Sequence, residues 1–244
     1  MIAHKRPELL TCALILGMHR SGTSCLTGVL QRAGLYLGEV HTQNPFNAKG
    51  NREHPDAMRL NEALLQAQSG SWDQPCLANL PGPELQASMS HFLKTLAAGA
   101  QAQPFGFKDP RLVFTLPAWQ PLLRSQHTVY LASFRHPLAV ALSLQARNNF
   151  DLDRGLALWE SYNRQLLQWA DRLPVHFVDF DQPSNAYQQR IAQLLPHLGL
   201  SSSAASQGLE FYTESLRHQR VPPEAKLPQS AASLYAQLRQ RACS

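Results

Sequence analysis

The stretch LILGMHRSGTSCLTGVL, residues 14–30, carries residue types that bind anions. Gly17 and Gly22 stand five residues apart, as in the phosphate-binding pattern G-x-x-x-x-G-K-[ST]. Thr23 occupies the place of that pattern's lysine and Ser24 follows it. The positive charge comes earlier, at Arg20, with His19 on one side and Ser21 on the other. A turn of this kind presents backbone N–H groups at a helix N-terminus, where the helix dipole favours negative charge. The missing lysine argues against ordinary hydrolysis of a magnesium-bound nucleotide.

Three further groups could work with the turn. Arg135 and Ser143 are eight residues apart, just over two helical turns, so both can lie on one side of a helix. A guanidinium offers paired donors to a phosphate, and a hydroxyl adds another contact. Lys108-Asp109-Pro110-Arg111 is a dense charged knot, in which Asp109 is expected to orient Lys108 or Arg111 and is a minor candidate base. Glu53 and His54 are the candidates for a base, and a well-placed base contributes about 10²–10⁴ in rate. Either residue can instead cap the helix expected near Asp56. His19 and His136 flank the two arginines, as ligand contacts or as local packing groups. Trp72 lies in a break and is a candidate pocket wall, whereas Trp159 and Trp169 fall on an apolar stripe and read as core.

These groups need elements to position them. The pattern predicts strands at 11–16, 105–107, 128–134 and 175–180. It predicts helices at 22–33, 56–68, 84–98, 116–124, 137–148, 184–198 and 229–242, with a long amphipathic helix between 152 and 169. Pro137 is suited to a first helical position, and Gly34 and Gly199 to helix ends. Residues 35–56 read as a long loop, and 201–228 as linker-like and extended. Strands separated by helices call for a parallel sheet with right-handed crossovers, whose ligands bind beyond the carboxyl ends of the strands. The turn at 17–24, Lys108–Arg111 and Arg135–Pro137 all follow strands, so they should converge on one crevice. The fold class is α/β, a P-loop-like three-layer arrangement with a central parallel sheet flanked by helices. One domain is expected over residues 1–244, with a core of about 11–200 and a loosely assigned tail at 201–244.

The bulk numbers narrow the partners. The net charge of +5 suits an anionic ligand, but the positive residues form no tract of the kind that marks nucleic-acid tails. The four cysteines are scattered with no C-x-x-C pair, so zinc spacing and a disulfide framework are both absent. A reducing, cytoplasmic setting is the simplest reading. Cys25 in the first turn after the glycines reads as a small packing residue. The N-terminal apolar run is short, flows into the glycine turn without a cleavage site, and reads as a buried strand rather than a signal peptide. No stretch approaches the length of a membrane span.

Taken in order, the motifs resemble those of the sulfotransferases that use 3′-phosphoadenosine 5′-phosphosulfate (PAPS). GMHRSGTS is similar to the family's 5′-phosphosulfate loop, GFKDPRL leading to TLPAW to a lysine-bearing strand end, and SFRHPLAVALS to its 3′-phosphate motif. FNAKGNREHPD with LNEALL and SWDQP resembles a mostly bacterial subgroup. The likeness covers about residues 11–180. It implies that Arg20, with the backbone of Ser21, Gly22, Thr23 and Ser24, holds the 5′-phosphosulfate, in a cofactor-binding turn that also includes Gly17 and His19, that Arg135 and Ser143 hold the 3′-phosphate, and that Lys108 lies near the sulfuryl group. Arg20, Lys108 and a Glu53 or His54 base would then serve transfer to a hydroxyl or amine of a carbohydrate, lipid or small molecule, with PAPS as co-substrate and no metal. A nucleotide or small-molecule kinase, or a non-catalytic nucleotide- or glycan-binding relative, is the alternative.

Overall fold

A computed structural model describes residues 9–43, 49–204, 206, 208, 211–212, 221 and 225–243. Residues 44–48 of the expected loop, the first eight residues and most of the 205–228 segment lie outside them. Four strands, β1 (Thr11–Leu16), β2 (Phe105–Lys108), β3 (His127–Phe134) and β4 (Val175–Asp179), form one sheet in the order β2-β1-β3-β4. All three pairings are parallel, with Leu14 opposite both Phe107 and Tyr130, and Ala132 opposite Phe177.

The period-2 alternation of the strands builds two cores. Cys12, Leu14 and Leu16 of β1 join Tyr130, Ala132 and Phe134 of β3 on one face. Ala13, Ile15, Val129 and Leu131 enter the other. Successive side chains of a strand point to opposite faces, so a strand buried on both reads as a continuous apolar run. The first face is covered by α2 (Pro55–Gln66), α3 (Pro83–Gly99), α4 (Leu112–Trp119), α6 (Leu152–Ala170) and α8 (Gln229–Ala242). The second is covered by α1 (Thr23–Arg32) and α7 (Ser184–Leu194). This is the expected three-layer α/β architecture. α5 (Pro137–Asn148) follows β3 directly, with Pro137 in its first turn.

One helix differs from its sequence pattern. The apolar spacing predicts 116–124, but α4 begins at Leu112 and gives way to a 3-10 turn at Gln120–Leu123. Seven of its eight residues are buried, so no polar face marks its start. Pro117 lies inside it and has no N–H to give the Val113 carbonyl. The Trp169 indole N–H takes that place, at 2.7 Å from the carbonyl oxygen. A buried carbonyl needs such a partner, so a residue of α6 makes an interior proline tolerable. Trp159 and Trp169 are core residues, as expected.

Candidate active site

The turn after β1 is shaped by two close approaches. Gly17 has φ +127°, and a Cβ there would sit 2.2 Å from the Ser133 carbonyl oxygen. Gly22 has φ +81°, and a Cβ would meet the Phe180 ring at 2.3 Å. The turn is therefore pressed onto the ends of β3 and β4, and the Ser133 hydroxyl donates to the Ser21 carbonyl at 2.6 Å. Gly17→Ala should lower stability by about 2–3 kcal/mol, from left-handed strain plus a backbone clash. Urea unfolding measures it, and an unchanged midpoint would refute the close packing.

Gly22 is the N-cap of α1 and supplies no side-chain cap, and the first turn of the helix has no acidic residue. The opening N–H groups of α1 and the positive end of its dipole thus face the turn. The Ser21 Oγ and His19 Nε2 are buried without a hydrogen-bond partner among the described residues.

Arg135 at the end of β3 is only 5% exposed. Its carbonyl accepts the Trp159 indole N–H at 3.0 Å, its guanidinium lies 5.5 Å from the centre of the Phe180 ring, and its Nε reaches Asp181 at 3.3 Å. Asp181 also accepts the His136 N–H at 2.6 Å. His136 accepts the Leu138 N–H and so N-caps α5.

Ser143 on α5 is drawn to the first turn. Arg20 Nε donates to Ser143 Oγ at 2.7 Å, across 123 positions of sequence. The two groups singled out for anion binding therefore adjoin in one crevice. Burial, with Arg147 and then Arg135 nearby, pushes the Arg20 guanidinium down to about 10. A cation destabilised by burial and by like charges gains by meeting an anion.

Lys108 completes the cluster from β2. Its ammonium donates to Glu53 Oε1 at 2.5 Å, to the Asn51 carbonyl at 3.1 Å and to Ser24 Oγ at 3.3 Å. Both side chains of the Lys108–Glu53 pair are buried. Behind it Asp109 is fully buried and accepts both the Arg111 backbone N–H and its guanidinium. Burial holds the Asp109 carboxyl above the ordinary range, with Arg111 pulling it back. Asp109 thus orients Arg111 rather than Lys108.

Of the two base candidates, Glu53 reaches the cluster. His54 instead accepts the Asp56 N–H through Nδ1 and N-caps α2, with its ring against Phe92. Trp72 packs edge-on to His19 and parallel to Phe150, and its carbonyl accepts the Tyr162 hydroxyl. Cys25 packs against the α1 and α7 side of the sheet. The sequence reading passed over Asp181, Asn51 and Arg147. Asp181 had a findable signal, since it lies two residues beyond β4 of the same sheet.

No family model matches the sequence, and no curated protein matches it. Solved structures do. The sulfotransferase domain of the olefin synthase from Synechococcus PCC 7002 aligns over 96% of this chain and 96% of its own, with a TM-score of 0.62 at 17% identity. A sulfotransferase domain from the curacin biosynthetic pathway aligns over 95% and 98%, with a TM-score of 0.58 at 15% identity. This chain has the fold of sulfotransferase domains.

Proposed function

We propose that this chain is a PAPS-dependent sulfotransferase, transferring to a hydroxyl or amine of a carbohydrate, lipid or small molecule. The observation that carries the reading is the Arg20–Ser143 hydrogen bond. It makes one continuous site of a turn suited to a 5′-phosphosulfate and a helix suited to a 3′-phosphate. The residues present fit such a nucleotide. The Ser21 hydroxyl and His19 Nε2 are orphaned polar atoms, and α1 opens beside them without a side-chain cap or an acidic residue in its first turn.

The nucleotide supplies the sulfuryl group and a phosphate as leaving group. Gly17, Gly22 and the α1 N–H groups of Thr23 and Ser24 bind and orient its 5′ end. Arg20 neutralises charge there. Arg135 and Ser143 hold the 3′ end, with Asp181 setting the orientation of Arg135. Lys108, tethered by Ser24, stabilises charge on the transferred group, and Glu53 accepts the proton of the attacking hydroxyl or amine. Fixed cations and N–H dipoles act where charge develops, and positioning supplies much of the remaining rate.

The desulfated nucleotide, 3′-phosphoadenosine 5′-phosphate, tests the reading without turnover. At 100 times its dissociation constant it should stabilise the fold by roughly 2.7 kcal/mol. Thermal denaturation measures this, and the absence of any shift counts against the assignment. An acceptor screen with labelled sulfate follows.

A further inference from the structure

His19 lies in the turn proposed to hold the 5′ end, and its surroundings define what its ring can do there. Its ring meets Trp72 at 4.9 Å and Tyr162 at 6.1 Å between centroids, both edge-on. Nε2 is buried and has no partner among the described residues. Cations from four places in the fold act on the ring through their charge: Arg111 before α4, Lys108 at the end of β2, Arg147 in the last turn of α5 and Arg20 beside it in sequence. The nearby carboxylates are engaged by other cations, Asp109 by Arg111 and Glu53 by Lys108. The Tyr162 hydroxyl donates to the Trp72 carbonyl.

Burial and these cations hold the imidazole neutral, well below its usual range. A buried ring nitrogen without a partner is costly. An anion in the turn changes both terms. It offsets the field of the cations, and it offers an acceptor to a ring N–H.

We propose that His19 binds a proton when an anion fills the 17–24 turn, and that Nε2 then donates a hydrogen bond to that anion. The proton comes from solvent, and both ring nitrogens carry hydrogen in the charged form. The inference rests on the turn being an anion site, and goes beyond it by making anion capture proton-coupled. The sign follows from linkage. The ring is neutral in the ligand-free chain and charged in the complex, so affinity rises as pH falls. Between the two pKa values, log Kd climbs by up to about one per pH unit.

Calorimetric titration of the full chain tests this, with inorganic sulfate and 3′-phosphoadenosine 5′-phosphate as probes. Each is measured in two buffers of different ionisation enthalpy. Sulfate does not itself titrate near neutrality, so any proton uptake belongs to the protein. The unmutated chain should take up a fraction of a proton with sulfate, and His19→Gln almost none; the nucleotide's own phosphates titrate at about pH 6 and add their proton release to the protein's uptake. His19→Gln should weaken sulfate binding roughly tenfold at pH 6, as loss of a charged hydrogen bond implies, and far less at pH 8. Should that variant not fold, ¹⁵N imidazole spectra of the unmutated chain decide the matter: one histidine must titrate at higher pH once sulfate is added. Binding with heats independent of buffer, or equal sulfate-linked uptake in His19→Gln, overturns the role of His19 and leaves the nucleotide reading standing. Failure of both probes to bind overturns both.

Discussion

Replacing Lys108 by methionine is expected to lower stability by about 3–5 kcal/mol, because removing one partner of a buried ion pair leaves an uncompensated charge. Here the stranded charge is Glu53, 4% exposed, with Lys108 its ion-pair partner at 2.5 Å. The tether from Lys108 to the Asn51 carbonyl is lost as well. The double variant Lys108→Met with Glu53→Leu should recover more than half of the loss, since apolar replacement of a whole buried pair is often neutral or better. Urea unfolding of both variants measures it. A single variant as stable as the parent would show that Glu53 finds water or another partner. The folded double variant has neither the ammonium beside the 17–24 turn nor the carboxylate, and its transfer rate should fall by at least about 10²-fold.

Arg135→Ala should weaken binding of 3′-phosphoadenosine 5′-phosphate by about a hundredfold, and of 5′-AMP by only a few fold. Loss of a charge-assisted, two-pronged contact to one phosphate has that size. The variant should still fold, because Asp181 keeps the His136 N–H and its side chain is 29% exposed, so water can replace the lost cation. Equal losses for the two nucleotides would remove the 3′-phosphate role and break the link between the fold and its proposed co-substrate. Calorimetry with each nucleotide separates these outcomes. Ser143→Ala is informative beside it: Ser143 also accepts from Arg20, so its loss should affect both nucleotides.

Much of the architecture was legible locally. Continuous apolar runs in β1 and β3, proline opening α5, and left-handed glycines at 17, 22, 34 and 199 are properties of short segments. Their backbone preferences do not depend on distant partners. α4 was misplaced for a related reason. A helix buried nearly all round has no amphipathic period to read, and its internal proline is rescued by Trp169 from another element.

By itself the sequence determined the glycine turn after β1, the parallel sheet, and the convergence of three strand ends on one crevice, because strand–helix alternation leaves little topological freedom. Partner choice belonged to the tertiary structure. Ser143 pairs with Arg20 across 123 positions, Asp181 takes Arg135, and Glu53 rather than its neighbour His54 meets Lys108. Each choice turns on a few ångströms at the ends of strands that are far apart in sequence. Helix rotation and sheet register set those distances, and no local pattern of residues encodes them.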